Sequence, residues 1–190
     1  GAIFAALVVA LQQKQVYVRL LSRSKQNQDT IICDLKIDCI PNDALIGVDT
    51  VFHLAGFAHD VRDASKIADL YYKVNVSATV QLAELAVKAG VKRFVFVSSV
   101  KAGGISTPKK CINENDQSDP EGIYGKTKRE AELRLLEIGK ESGMHVSIIR
   151  PSLVYGPDVK GNLKSMLLGV KKGWFPPLPD YGRGKRPSGV

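Results

Sequence analysis

Apolar and polar positions along the 190 residues follow two periods in turn. Residues 3–12 put Ile3, Leu7 and Leu11 on one helical face, and residues 16–21 then read as a strand. Short β-rich runs follow at residues 30–33 and 50–54, and residues 64–89 are largely helical until Gly90 stops them. Arg93 starts a strand in which Phe94, Val95, Phe96 and Val97 form a run that is apolar on both faces, as in a buried parallel strand. Residues 123–137 are helical again, and residues 146–149 are the last clear strand. A polar excursion fills residues 107–121, and the glycine- and proline-rich residues 173–190 read as loop. Strands alternating with helices specify an α/β chain of parallel βαβ units, with ligands at the carboxyl ends of the strands.

Composition narrows this little. A hydrophobic share of 44% with 24% charged residues is ordinary for one globular domain with a sizeable core, and excludes a disordered or collagen-like chain. No apolar run approaches the roughly 20 residues needed to span a bilayer, and residues 1–11 lack the basic region and cleavage site of a leader, so a soluble, untargeted chain is expected. Cys33, Cys39 and Cys111 have no metal-ligand spacing and cannot all pair, which points to a reducing cytoplasm and to no metal site. The net charge of +8 is spread out, densest at Lys109 and Lys110, at Lys126, Lys128 and Arg129, at Lys171 and Lys172, and at Arg183, Lys185 and Arg186. Without interleaved aromatics it gives no support to single-strand binding; a diphosphate ligand or a merely solvated surface fits as well.

The candidate chemistry lies where Ser98 and Ser99 end the apolar strand and the run Tyr124-Gly125-Lys126-Thr127-Lys128 opens the next helix. Tyr124 and Lys128 are one helical turn apart, so a phenol and an ammonium share a face. A free tyrosine has a pKa of about 10, and a nearby cation favours its phenolate, which makes a general base available near neutral pH. A serine hydroxyl opposite could hold the reacting oxygen. Each piece is common by itself; their order along the chain gives them weight. His53 interrupts an apolar strand and reads as a hydrogen-bonded core histidine, His59 as a solvated side chain, and Asn75 as a buried amide that must find partners.

In this order, followed by Arg150-Pro151 and by Val154-Tyr155-Gly156-Pro157, the chain resembles the extended short-chain dehydrogenase/reductase family. More narrowly it resembles the NAD-dependent epimerase/dehydratase group acting on nucleotide sugars, in its 4-epimerase-like branch. The resemblance implies a doubly wound Rossmann-like parallel sheet over residues 1–156 and the start of a small substrate domain over residues 157–190. Gly1 takes the place of the second glycine of G-x-x-G-x-x-G and Phe4 that of the third; the first strand and first glycine are missing, which would leave a gap in the sheet.

The implied cofactor is NAD or NADP. Arg23 stands where an acidic residue would meet the adenosine ribose, and could meet a 2′-phosphate instead. Asp34, with Leu35, matches the aspartate that contacts adenine, and could equally cap a strand end. Leu54, Ala55 and Gly56 match a strand-end motif where backbone approaches the cofactor. Asn75 matches an asparagine that orders the active site, Ser98 lies on the cofactor side, and Pro151 and Ser152 lie over the nicotinamide. Lys101 matches a loop beside the substrate, and Asn162 a segment that meets the nucleotide diphosphate.

The implied reaction is that of a nucleotide-sugar 4-epimerase or 4-keto reductase, with a UDP-sugar as the substrate class. In it Tyr124 takes the proton of the C4 hydroxyl, Lys128 depresses the tyrosine pKa and holds the nicotinamide ribose, and Ser99 bonds the C4 oxygen. A homodimer through the two long helices is implied as well. The rival reading is a truncated, non-catalytic chain that binds a nucleotide weakly or not at all. Nucleic-acid binding rests on charge alone.

Overall fold

The computed structural model describes residues 2–58, 64–104, 113–114, 118–120, 122–152, 154 and 162–174. The expectations for Gly1, His59, Cys111, Tyr155, Gly156 and Pro157 lie outside the described residues. The chain forms two compact units, one made essentially of residues 3–153 and the other of residues 154–190.

The first unit opens with α1 (Ala2–Gln13), whose Ile3, Leu7 and Leu11 are half-buried as the pattern requires. A Schellman cap ends it: Val16 N donates to Leu11 O at 3.1 Å and Gln15 N to Gln12 O at 2.9 Å, with Gln15 at φ 57°. That cap consumes the start of the strand expected over residues 16–21. Only Leu20–Ser22 forms β1, while Val16 and Tyr17 are exposed and Arg19 donates to the carbonyls of Ala44 and Ile46. Next come β2 (Thr30–Ile32), β3 (Thr50–His53), β4 (Arg93–Val97) and β5 (His145–Ile149), each within a residue of the segment that its pattern predicts.

Every pairing is parallel. β1 pairs β2 in a two-stranded sheet, and β3, β4 and β5 form a second sheet with β4 central. Among the described residues no strand joins the two sheets. Between β3 and β4 runs one continuous helical stretch: α2 (Ala64–Tyr72), a π turn (Lys73–Ser77) and α3 (Ala78–Lys88). After β4 a 3₁₀ turn (Val100–Ala102) precedes α4 (Gly122–Ser142).

The core forms because β4 puts Phe94 and Phe96 fully inside, where α3 supplies Leu82, Ala83 and Ala86 and α4 supplies Ala131 and Leu135. Each such phenylalanine contributes roughly 1.5–3 kcal/mol on leaving water. Alanines at the helix contacts let α3 and α4 lie close, which fixes α4 against the carboxyl end of β4. In the second unit, α5 (Asn162–Lys171) is a helix where no element was predicted.

Candidate active site

Two strand ends and one helix make the site. Beyond β4 and β5 the ladder continues: Ser98 N donates to Ile149 O at 2.7 Å, and Val100 N to Pro151 O at 3.2 Å. Ser98 and Ser99 are thereby held beside Arg150, Pro151 and Ser152. Ser99 then caps the 3₁₀ turn, its hydroxyl accepting from Lys101 N at 3.3 Å. Helix α4 sits directly on this turn, because a Cβ at Gly125 would be only 2.5 Å from Lys101 O.

That approach brings the side chain of Tyr124 beside that of Ser99. Burial raises the Tyr124 pKa above its usual value; the neighbouring Ser99 hydroxyl opposes the rise, and buried Tyr71 adds to it. Lys128 is almost wholly buried, donating to Val97 O at 2.8 Å with its ammonium 4.0 Å from the Phe96 ring centroid. Desolvation pulls it down to about 8, against the attraction of Glu132. The ammonium is directed under the end of β4, and desolvation is the largest influence on the phenol.

Asn75 finds its partners from the π turn. Its Oδ1 accepts from Phe57 N at 2.7 Å, and its Nδ2 donates to Phe57 O and Thr127 Oγ1, both at 3.1 Å. Leu54, Ala55 and Gly56, at the carboxyl end of β3, lead into that Phe57 clamp; Ala55 and Gly56 are exposed. A Cβ on Gly56 would lie 3.4 Å from Asn75 Oδ1 and 3.7 Å from Lys128 Nζ. His53 is a core histidine: its Nε2 lies 2.8 Å from Thr79 Oγ1, its ring stacks on Phe96, and burial first, then Lys128, lowers its pKa to about 3.

Arg23 is exposed after β1. Asp34 caps the turn after β2, Oδ1 accepting from Lys36 N at 3.0 Å, with Leu35 packed against the core. Lys36 Nζ lies 5.0 Å from the Phe57 ring centroid, which ties this turn to the end of β3. Lys101 is exposed, Pro151 half-buried and Ser152 exposed, and Asn162 begins α5.

Sequence reasoning missed Thr79, Thr127 and the pair of Glu132 with Arg150, which meet in two bonds of 2.9 and 2.5 Å. The signal for Glu132 was present, since Lys128 and Glu132 occupy the same buried stripe of α4 as Ala131 and Leu135. The site fits the nicotinamide end of a dinucleotide. Ser98 Oγ is buried and, among the described residues, has no hydrogen-bond partner; Gly56 presents bare backbone; and Lys128 offers a cation.

The profile of the NAD dependent epimerase/dehydratase family matches residues 1–186. The chain belongs to this family. It is 43% identical over 139 residues to a UDP-glucose 4-epimerase of Vibrio cholerae, covering 72% of this chain and 42% of that one. A 4-epimerase of Escherichia coli O157:H7 acting on N-acetyl-alpha-D-glucosaminyl-diphospho-ditrans,octacis-undecaprenol is 35% identical over 148 residues, covering 77% and 43%. The chain thus spans less than half the length of these curated relatives. Among solved structures, MoeE5 in complex with UDP-glucuronic acid and NAD superposes with a TM-score of 0.74 at 30% identity, over 87% of this chain and 56% of that one. Gox2253 does so with a TM-score of 0.75 at 26% identity, over 93% and 56%. The family's doubly wound parallel sheet is the fold seen here.

Proposed function

We propose that this family member serves a nucleotide-sugar 4-epimerase or 4-keto reductase, with Ser99, Tyr124 and Lys128 as its catalytic set and Asn75 ordering them. The observation that carries the reading is the close approach of α4 to the turn that Ser99 caps at the carboxyl end of β4, with Tyr124 beside Ser99 and Lys128 one turn along α4. Bound NAD or NADP supplies the hydride acceptor and donor. Ser98, Leu54, Ala55, Gly56, Pro151, Ser152 and Lys128 would hold its nicotinamide end, and Arg23, Asp34 and Leu35 its adenosine end.

Ser99 orients the C4 oxygen of the sugar, and Tyr124 exchanges a proton with it. The raised pKa keeps Tyr124 protonated near neutral pH, which equips it as the acid that protonates C4 oxygen when a 4-keto sugar is reduced. Oxidation of a C4 hydroxyl needs the phenolate, and the neighbouring Ser99 hydroxyl is the influence that favours it. UDP-sugars are the proposed substrate class, supported by the names of the Vibrio cholerae relative and of MoeE5's ligands. Lys101 would lie beside the substrate, and Asn162 would belong to a substrate domain beginning after residue 156. A homodimer through α3 and α4 belongs to the same reading, supported by the exposure of Leu133 and Leu136.

The test is calorimetric titration of the chain with NAD and NADP, followed by turnover assays with UDP-glucose. Wild type should bind one of the cofactors at micromolar concentration. Tyr124→Phe should keep that affinity and lose turnover by at least about a hundredfold. Unchanged turnover would remove Tyr124 from the mechanism, and a folded chain that binds neither cofactor would remove the reading.

A further inference from the structure

We infer that Thr127 is a positioning residue: its hydroxyl locks the Asn75 carboxamide in one orientation, and so fixes the Gly56 and Phe57 turn against α4. The inference deepens the proposed function, because Thr127 lies between Tyr124 and Lys128, yet its evidence is a closed count of donors and acceptors.

Asn75 is 1% exposed and Thr127 0%, so water does not serve either group. A threonine hydroxyl has one proton to give. Thr127 Oγ1 has helix carbonyls at 2.9 Å (Ile123) and 3.1 Å (Tyr124), and that proton goes to one of them. Towards Asn75 it therefore acts only as acceptor, and the group facing it must be Nδ2. The second Nδ2 proton goes to Phe57 O, and Oδ1 is left for Phe57 N. Rotating the amide by half a turn would set NH₂ against the Phe57 N–H and Oδ1 against Phe57 O, which is unfavourable at both ends.

The main chain of Asn75 is pinned as well. Thr79 Oγ1 donates to Asn75 O at 2.9 Å, so it must accept from His53 Nε2, which fixes that ring as the neutral Nε2–H form. With Asn75 held at both ends, the Phe57 amide is clamped, and the Phe57 ring meets Tyr71 edge-on at 4.8 Å. Thr127 is the only one of these contacts that comes from α4. Through it the end of β3 is kept in register with the helix that carries Tyr124 and Lys128.

Amide hydrogen exchange on the 190-residue chain reads this directly, with or without activity. Thr127→Val keeps shape and removes the hydroxyl; Thr127→Ala removes it without the second methyl and is measured in parallel; Thr127→Ser keeps it. In the two hydroxyl-less variants the Phe57 amide should exchange at least about tenfold faster, while the β4 amides of Phe94 and Phe96 change by less than about threefold. Thr127→Ser should match wild type. Unchanged Phe57 protection, equal acceleration at Phe57 and in β4, or failure of serine to rescue would each overturn the inference. Where wild type turns over UDP-glucose, Thr127→Val should lower kcat about tenfold with KM within about twofold, and add nothing to Asn75→Ala. Additive losses would place Thr127 outside the Asn75 linkage. A chain that binds no cofactor but shows the exchange pattern would sink the proposed function and leave the clamp standing.

Discussion

The Lys128 ammonium donates to the Val97 carbonyl at 2.8 Å and rests 4.0 Å from the centroid of the Phe96 ring, so the end of β4 holds the site's buried cation. The contact gives it a partner but not water, and burial lowers its pKa to about 8. The unfolded lysine keeps its proton to about 10.5, so between these values the unfolded chain binds more protons and stability rises with pH. Denaturant unfolding of wild type should show that rise between about pH 8 and 10.5, on the order of 3 kcal/mol. Lys128→Met should abolish it. Tyr124, with its raised pKa, acts in the opposite sense above about pH 10 in both proteins, so the difference between them isolates Lys128. Curves that run parallel over this window would show that the ammonium is not desolvated.

The acid limb belongs to His53. Its folded pKa of about 3 lies below the unfolded value near 6.5, so the unfolded chain gains the proton first as pH falls. Its contribution to stability is complete above about pH 6.5 and is lost progressively toward about pH 3. His53→Gln can still meet Thr79 with an amide and does not titrate. Acid unfolding followed by circular dichroism should move to lower pH in this variant, and a midpoint left in place would mean that other groups set acid stability.

Much of this architecture was legible because period and burial agree. The β4 run Arg93–Val97 matches its strand residue for residue, since an apolar run bounded by Gly90 and Ser98 has one way to be buried. Gly90 N and Val91 N close the end of α3 on Val87 O and Ala86 O, which glycine at φ 73° permits. The start of β1 was not legible, because Val16 and Tyr17 are β-formers exposed beyond a helix cap. α5 was missed although Leu163, Met166, Leu167 and Val170 have helical spacing. In the site, the pairing of Ser99 with Tyr124 followed from topology, but the direction of the Lys128 side chain did not. Only the folded chain shows that Val97 O and Phe96 compete for it.

Two glycines should respond differently to a methyl group. At Gly90 an added Cβ meets nothing within 4 Å, so Gly90→Ala costs only backbone strain, about 1 kcal/mol. At Gly125 the same Cβ would strike Lys101 O, so α4 must lift off the 3₁₀ turn that Ser99 caps. Gly125→Ala should cost about 1–3 kcal/mol and move Tyr124 away from Ser99. Turnover should then fall well beyond what the stability loss explains. Urea unfolding with single-turnover assays of both variants checks this, and equal kinetic effects would mean that the close approach of α4 does not matter for chemistry.

Glu132 and Arg150 form the second buried electrostatic link of α4. Glu132 is 2% exposed and Arg150 bonds it through Nε and Nη2, while an added Cβ at Gly103 would lie 3.2 Å from Arg150 Nη1. The pair joins α4 to the end of β5 and backs the turn after Ser99. Removing one partner strands the other, so Glu132→Ala should destabilise the chain by roughly 3 kcal/mol or more. Replacing both by apolar residues, Glu132→Leu with Arg150→Met, removes both desolvation costs and should recover most of that loss. Recovered stability does not restore electrostatics. Glu132 draws the Lys128 pKa up against desolvation, so in the apolar double variant Lys128 should titrate below about 8, moving the onset of the alkaline rise in stability to lower pH. Urea unfolding across pH 6 to 9 would separate the two effects. A double variant whose rise begins where that of wild type does would confine the pair to packing.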